Sequence, residues 1–332
     1  MNTSSLKTHK KGNFIKGIGY GIATVSCWGV MNVTTHDALR SGFLPNDLTM
    51  LRYCIAGMIC LPWVLVNHSK EQGLLPWLKA SVFALLAGPL YGWLVNKGMQ
   101  LTPLTYASVM VPTFTMLITI LLLFSMKIDV SKNQVIGTFV IIFGLYSLIS
   151  SNSSPSPQSQ MGVLAFLLAG FIWSCFTILL KKWELELVPT IFMMNIVSGI
   201  VYVPIFLSSE QSELSSIPIE HWAEQIVVQS ILASIVVVFT FAKAVEYLGA
   251  SIASTLPALI PLVSISLAIW FFEQSITTNE KIALTVISIG FVLCTLCKHT
   301  KKTREMKTSP LITKEAMGNE LISRNFGKRD EK

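Results

Sequence analysis

Among the ionisable side chains that interrupt or border long apolar runs in this sequence are Arg52, Lys243, Glu246 and Glu273. Charge is expensive inside a bilayer and such groups usually face protein or water, so each is a candidate for chemistry. Arg52, eight residues into the run 45–66, suits either an anionic group or pairing with an acid or a backbone carbonyl. Lys243 and Glu246 stand one helical turn apart at the end of another run, as a local salt bridge or as a gate that meets a substrate carboxylate. Glu273, at the end of the run 249–272, reads as a cap or a gate.

Aromatic and amide groups join them. Trp28, Asn32 and His36 recur at i, i+4 and i+8, which puts them on one helix face. Tyr91, Asn96, Tyr106 and Trp173 lie in other apolar runs. With Trp28 they can wall a cavity for flat or apolar molecules by stacking, dispersion and a few hydrogen bonds. Plain packing between helices is the competing role for both tryptophans.

Some chemistry has no candidates. The apolar runs hold no deep aspartate, Asp47 standing at the very start of the run 45–66, and no deep histidine, so a buried proton relay has no obvious members. The chain lacks a P-loop, which argues against direct drive by ATP. All six cysteines fall in apolar runs, and Cys294-x-x-Cys297 has no partner pair, so they read as small buried residues. No catalytic residue, metal or cofactor is expected.

The elements that must position these groups are membrane helices. Of 332 residues 52% are hydrophobic and only 13% charged, with a mean hydropathy of +0.60, whereas soluble domains carry about a quarter charged residues. The charges cluster between apolar runs, and ten candidate spans emerge at 17–35, 45–66, 76–98, 102–125, 133–150, 161–180, 188–207, 222–243, 249–272 and 279–297. The spans at 102–125 and 249–272 are free of charge, and each carries a mid-span proline, Pro112 and Pro257. A proline removes one backbone donor and opens a point where a helix can hinge.

The net charge of +7 comes from the ends of the chain, a basic arm at 1–16 and a basic tail at 298–332. Basic flanks beside spans set topology near anionic lipid, so the bilayer and not nucleic acid is the expected partner. With the N-terminus inside, sixteen Lys and Arg fall on the inner side and three on the outer, leaving both termini cytoplasmic. The basic stretch before the first span lacks a small-x-small cleavage site and reads as the flank of an uncleaved span. The tail has no apolar periodicity and is expected to be disordered.

An internal repeat organises the whole. Gly17 and Gly162, Trp28 and Trp173, and Pro112 and Pro257 are each 145 residues apart. Pro45 and Pro189 are 144 apart and Gly144 and Gly290 are 146 apart, as single-residue gaps allow. Two halves, 17–150 and 161–297, joined by a Ser/Pro linker at 151–160, would each hold five spans. Five is odd, so the second half must sit upside down relative to the first. Inverted repeats are a recurring plan of secondary transporters, with substrate bound near the midplane between the halves.

On these residues the chain resembles the EamA family of ten-span carriers in the drug/metabolite transporter superfamily. The matching residues are Ser26-Cys27-Trp28-Gly29, Leu51-Arg52-Tyr53, Tyr106 to Pro112 and Gly137 to Gly144 in the first half. Those in the second are Trp173-Ser174, Ala250 to Pro257, Phe272-Glu273 and Gly290. Two positions depart from the family pattern: Ile196 stands opposite Arg52, and Lys127 opposite Glu273, where the family often has an acid in both halves. The resemblance implies an all-α polytopic membrane protein of ten transmembrane helices in two inverted five-helix repeats. It implies a monomer-sufficient transporter of small metabolites, such as amino acids or related amphiphilic compounds, in a bacterial inner membrane. Export is the commoner family role and uptake the alternative. A membrane enzyme would need a cluster of polar groups at one face, which the sequence lacks, and a channel would transport without saturation or counterflow.

Overall fold

In a bilayer core the backbone has no water to bond with, so a long apolar run satisfies its N–H and C=O groups by coiling into a helix. The computed structural model describes residues 3–67, 73–128, 130–150, 157–209, 212, 214–272 and 277–295, and every regular element among them is helical. Helix α1 is Thr3–Arg40. Helix α2, Pro45–Met50, runs through a π-helical stretch, Leu51–Ile55, into α3, Ala56–Asn67. Helices α4, Leu75–Ala87, and α5, Pro89–Leu101, form one broken span. They are followed by α6, Leu104–Ser125, and α7, Lys132–Ser150.

The second half opens with α8, Pro157–Trp183, and α9, Leu187–Leu207. Next come α10, Ile219–Gln225, a long π-helical stretch, Ile226–Val236, and α11, Val237–Leu248. The short α12, Ala250–Ala253, and the 3-10 turn Leu256–Leu259 lead into α13, Ile260–Phe272, before α14, Thr278–Thr295, ends the described chain. Among the described residues, eight segments are long and apolar enough to cross a membrane. Helix α7 and the shorter apolar stretch Lys281–Cys294 in α14 lie outside those eight and pack along one another. The tail 298–332, Glu273 and the linker residues 151–156 fall outside the described residues.

Burial is arranged as lipid demands. Apolar side chains such as Leu121, Phe139, Ile200 and Trp270 are exposed on the outside, while Thr24, Asn32, Arg52 and Asn195 are buried within. With the long apolar helices, this inward polarity marks an integral membrane protein.

The breaks in the helices have local causes. At Gly88 the backbone leaves helical geometry, and a Cβ there would collide with the carbonyl of Ala84. Pro89 follows at the first position of α5, where its missing N–H has no helical partner to lose. The two mid-span prolines behave differently. Pro257 sits in the 3-10 turn between α12 and α13, whereas α6 continues unbroken past Pro112.

Close packing brings glycines of one half against the other. A Cβ on Gly17 would lie 2.7 Å from the Leu248 side chain, and one on Gly162 would lie 2.5 Å from Thr102. Between α7 and α14, a Cβ on Gly137 would lie 2.7 Å from the Gly290 carbonyl, and one on Gly144 would lie 3.1 Å from that of Ala283. Cys54 and Gly199, themselves 145 residues apart, meet between the π-helical stretch and α9, with the thiol 3.9 Å from the Gly199 carbonyl.

Candidate functional site

Where α1, α5, α6, α8 and the Pro257 turn converge, a small cavity is walled by Trp28, Asn32, Tyr91, Pro112, Trp173 and Pro257. Its core is aromatic. The rings of Trp28 and Trp173 meet edge to face with centroids 5.3 Å apart, Tyr91 lies 4.7 Å from Trp173, and Phe241 closes on both tryptophans at 5.3–5.7 Å. Edge-to-face pairs of this kind are favoured by the ring quadrupoles and add to the gain from burial. Trp173 is only 1% exposed, at the centre of the main hydrophobic cluster.

The cavity measures about 20 Å³, room for roughly one water molecule. The indole Nε1 of Trp173 and the Thr115 hydroxyl, both on lining residues, are buried without a hydrogen-bond partner. Unpaired polar atoms in such a place are costly, and they are suited to hold the polar part of a bound molecule.

Other candidate residues stand elsewhere. The Asn96 amide donates to the Thr49 hydroxyl at 3.2 Å, on the side of α5 that faces α2. Lys243 does not reach the cavity: its ammonium donates to Glu246 at 2.9 Å in a partly exposed i, i+3 pair. This is the local salt bridge among the two readings of that pair. Lys181 donates to the Glu246 carbonyl at 3.2 Å, and Lys79 lies 5.8 Å from the Trp183 ring, so these lysines gather at one end of the bundle. Arg52 is buried beside the rings of Tyr53 and Tyr91. The Tyr106 side chain and Glu273 lie outside the described residues.

Val95, Met99 and Thr115, which carry no charge and no repeat signal in the sequence, also line the cavity. Tyr91, Val95 and Met99 recur every four residues, a face on which Tyr91 alone is polar or aromatic. Thr115 lies three residues beyond Pro112, one turn along the same helix.

A larger cavity of about 560 Å³ lies between α4, α5 and α9. Leu85, Leu90, Val201 and Ile205 wall it, and all four are exposed on the outside of the bundle, so it is a greasy crevice facing lipid.

Comparisons with known proteins agree with this architecture. A solved crystal structure superposes with a TM-score of 0.65 at 16% identity, covering 84% of this chain and 97% of that chain, a likeness of fold alone. No curated protein sequence matches. The EamA-like transporter family matches twice, over residues 15–150 and again over 160–296. Both halves of this membrane protein are thereby accounted for, and the chain belongs to the EamA-like transporter family.

Proposed function

We propose that the protein is a secondary transporter that moves small metabolites, amino acids or related amphiphilic compounds, out of the cell by alternating access. In this reading ten spans, the eight long apolar segments with α7 and α14, form two inverted halves, 17–150 and 161–297. An inverted two-fold exchanges partners between halves, and the contacts are consistent with it. Gly17 against Leu248 is answered by Gly162 against Thr102, and Gly137 against Gly290 by Gly144 against Ala283. The gathering of Lys79, Lys181 and Lys243 at one end supports cytoplasmic termini in a bacterial inner membrane.

The observation that carries the reading is the meeting of repeat mates at one point. Trp28 touches Trp173, and Pro112 and Pro257 line the same cavity. A site on the axis between two rocking halves can be reached from either side in turn. At about 20 Å³ the cavity is too small for a metabolite, as expected of a conformation in which the halves have closed on each other.

Purified protein in liposomes, screened for counterflow over amino acids, nucleoside derivatives and cationic drugs, tests this. Accumulation of labelled compound driven by an unlabelled internal pool is expected for at least one class. Uptake that never saturates and shows no counterflow would mean a channel and overturn the carrier reading.

A further inference from the structure

Arg52 is 1% exposed, and among the described residues no carboxylate pairs with it; the ion pair found there is Lys243–Glu246. Its Nε and Nη2 have no hydrogen-bond partner. These two nitrogens share one edge of the planar guanidinium and present parallel N–H bonds, the fork that grips a carboxylate with two hydrogen bonds. Two aromatic rings stand beside the group: its central carbon lies 5.2 Å from the Tyr53 ring centroid and 5.8 Å from that of Tyr91. Ring faces attract a cation but leave Nε and Nη2 unused, and they do not offset the cost of a buried charge with no counter-charge.

The surroundings hold this fork in place. The Arg52 carbonyl accepts from the Ser234 hydroxyl at 2.9 Å, and its neighbour Leu51 accepts from Ser230 at 2.6 Å. The Tyr53 hydroxyl donates to the Ala87 carbonyl at 2.9 Å. Arg52 lies in a π-helical stretch packed on a second one, Ile226–Val236, and such windings recur at functional sites. The backbone is thus tied down from the facing helix, while the charged head keeps two donors free. One ring separates it from the central cavity. Tyr91 lies against Arg52 and also lines the cavity, with Trp173 4.7 Å away.

We propose that this carrier takes substrates bearing a carboxylate, and that Arg52 is the residue that grips it when the Tyr91 ring swings aside. The apolar or aromatic body of the same molecule then lies against Trp28 and Trp173. This assignment rests on the carrier reading above and names its substrate class.

The test pairs acids with their amides, which match in shape but lack the carboxylate: 3-phenylpropanoate and leucine against 3-phenylpropanamide and leucinamide. Each is scored on the full chain by counterflow in liposomes and by ligand-induced thermal shift in detergent. At least one acid is expected to outperform its amide by tenfold or more. R52Q, planar but neutral, should bring that ratio to about one, and R52K, charged but without the fork, should fall between. Where R52Q does not give a monodisperse, cooperatively melting protein, the wild-type ratio and R52K decide. Acids no better than amides in every pair, or an R52Q or R52K protein that keeps the full ratio, overturns the assignment. Counterflow of amides and acids alike leaves the carrier reading intact, whereas counterflow of nothing, in the wider screen also, defeats that reading itself.

Discussion

Gly137→Ala is the sharpest probe of how the two halves are held together. A Cβ at this position would lie 2.7 Å from the Gly290 carbonyl oxygen and 2.8 Å from the Cys294 nitrogen, both backbone atoms of α14. Carbon–oxygen contacts settle at about 3.3 Å or more, so the two helices must part by roughly 0.6 Å. Parting forfeits dispersion contacts along the whole seam, and overpacking of this kind costs about 1–3 kcal/mol. Alanine also favours helix over glycine by about 0.8–1 kcal/mol, which would mask part of the effect. Gly19 supplies the reference. It lies in α1 with no atom within 4 Å of an added Cβ, so Gly19→Ala reports propensity without collision.

The assay is reversible denaturation of the purified protein in mixed micelles. Gly137→Ala should fall below Gly19→Ala by about 1–3 kcal/mol, roughly 5- to 150-fold in the unfolding equilibrium. Gly290→Ala should behave likewise, since its Cβ would meet the Gly137 carbonyl at 2.9 Å. Because one separation relieves both collisions, the double variant should cost less than the sum by about 0.5 kcal/mol or more. Equal midpoints for Gly137→Ala and Gly19→Ala would refute the packing argument.

Trp173→Ala should destabilise the protein by about 3–5 kcal/mol, because a fully buried ring with four aromatic neighbours leaves a large void; a denaturation midpoint unchanged from wild type counts against its central place. Pro112→Ala and Pro257→Ala should each alter counterflow rate more than expression level, and normal transport by both variants removes the hinge role. Ser230→Ala should cost about 0.5–1.5 kcal/mol, since its hydroxyl bonds the Leu51 carbonyl at 2.6 Å across two facing π-helical stretches; the loss is read from the same denaturation assay. Lys243→Ala should change stability by no more than about 1 kcal/mol, because the pair it breaks with Glu246 is partly exposed at the helix end.

Much of the lining of the candidate cavity was legible in the sequence. Trp28 and Trp173, like Pro112 and Pro257, were paired by their spacing alone, and repeat mates in two related halves have a reason to meet. Asn32 and Tyr91 followed as polar groups in otherwise apolar spans. Lys243 was legible only as two alternatives, because a lysine three residues from a glutamate is compatible with a rim salt bridge or a gate. The structure shows the salt bridge, partly exposed. Asn96 shows a related limit: an amide in an apolar span must find a partner, and Thr49, 47 residues away, is one that no local pattern announces.

Chain length between charges and the uniform apolarity of each run are local properties. They sufficed for membrane helices, because in lipid a backbone has no alternative to internal hydrogen bonds. Which face of each helix looks inward is another matter. A helix apolar all round shows almost no amphipathic signal, so its rotation is decided by side chains fitting against neighbours. Tertiary packing alone therefore left Arg52 with an open fork beside Tyr91, wound the chain at 51–55 and 226–236 into π-helix, and drew the central cavity down to about 20 Å³.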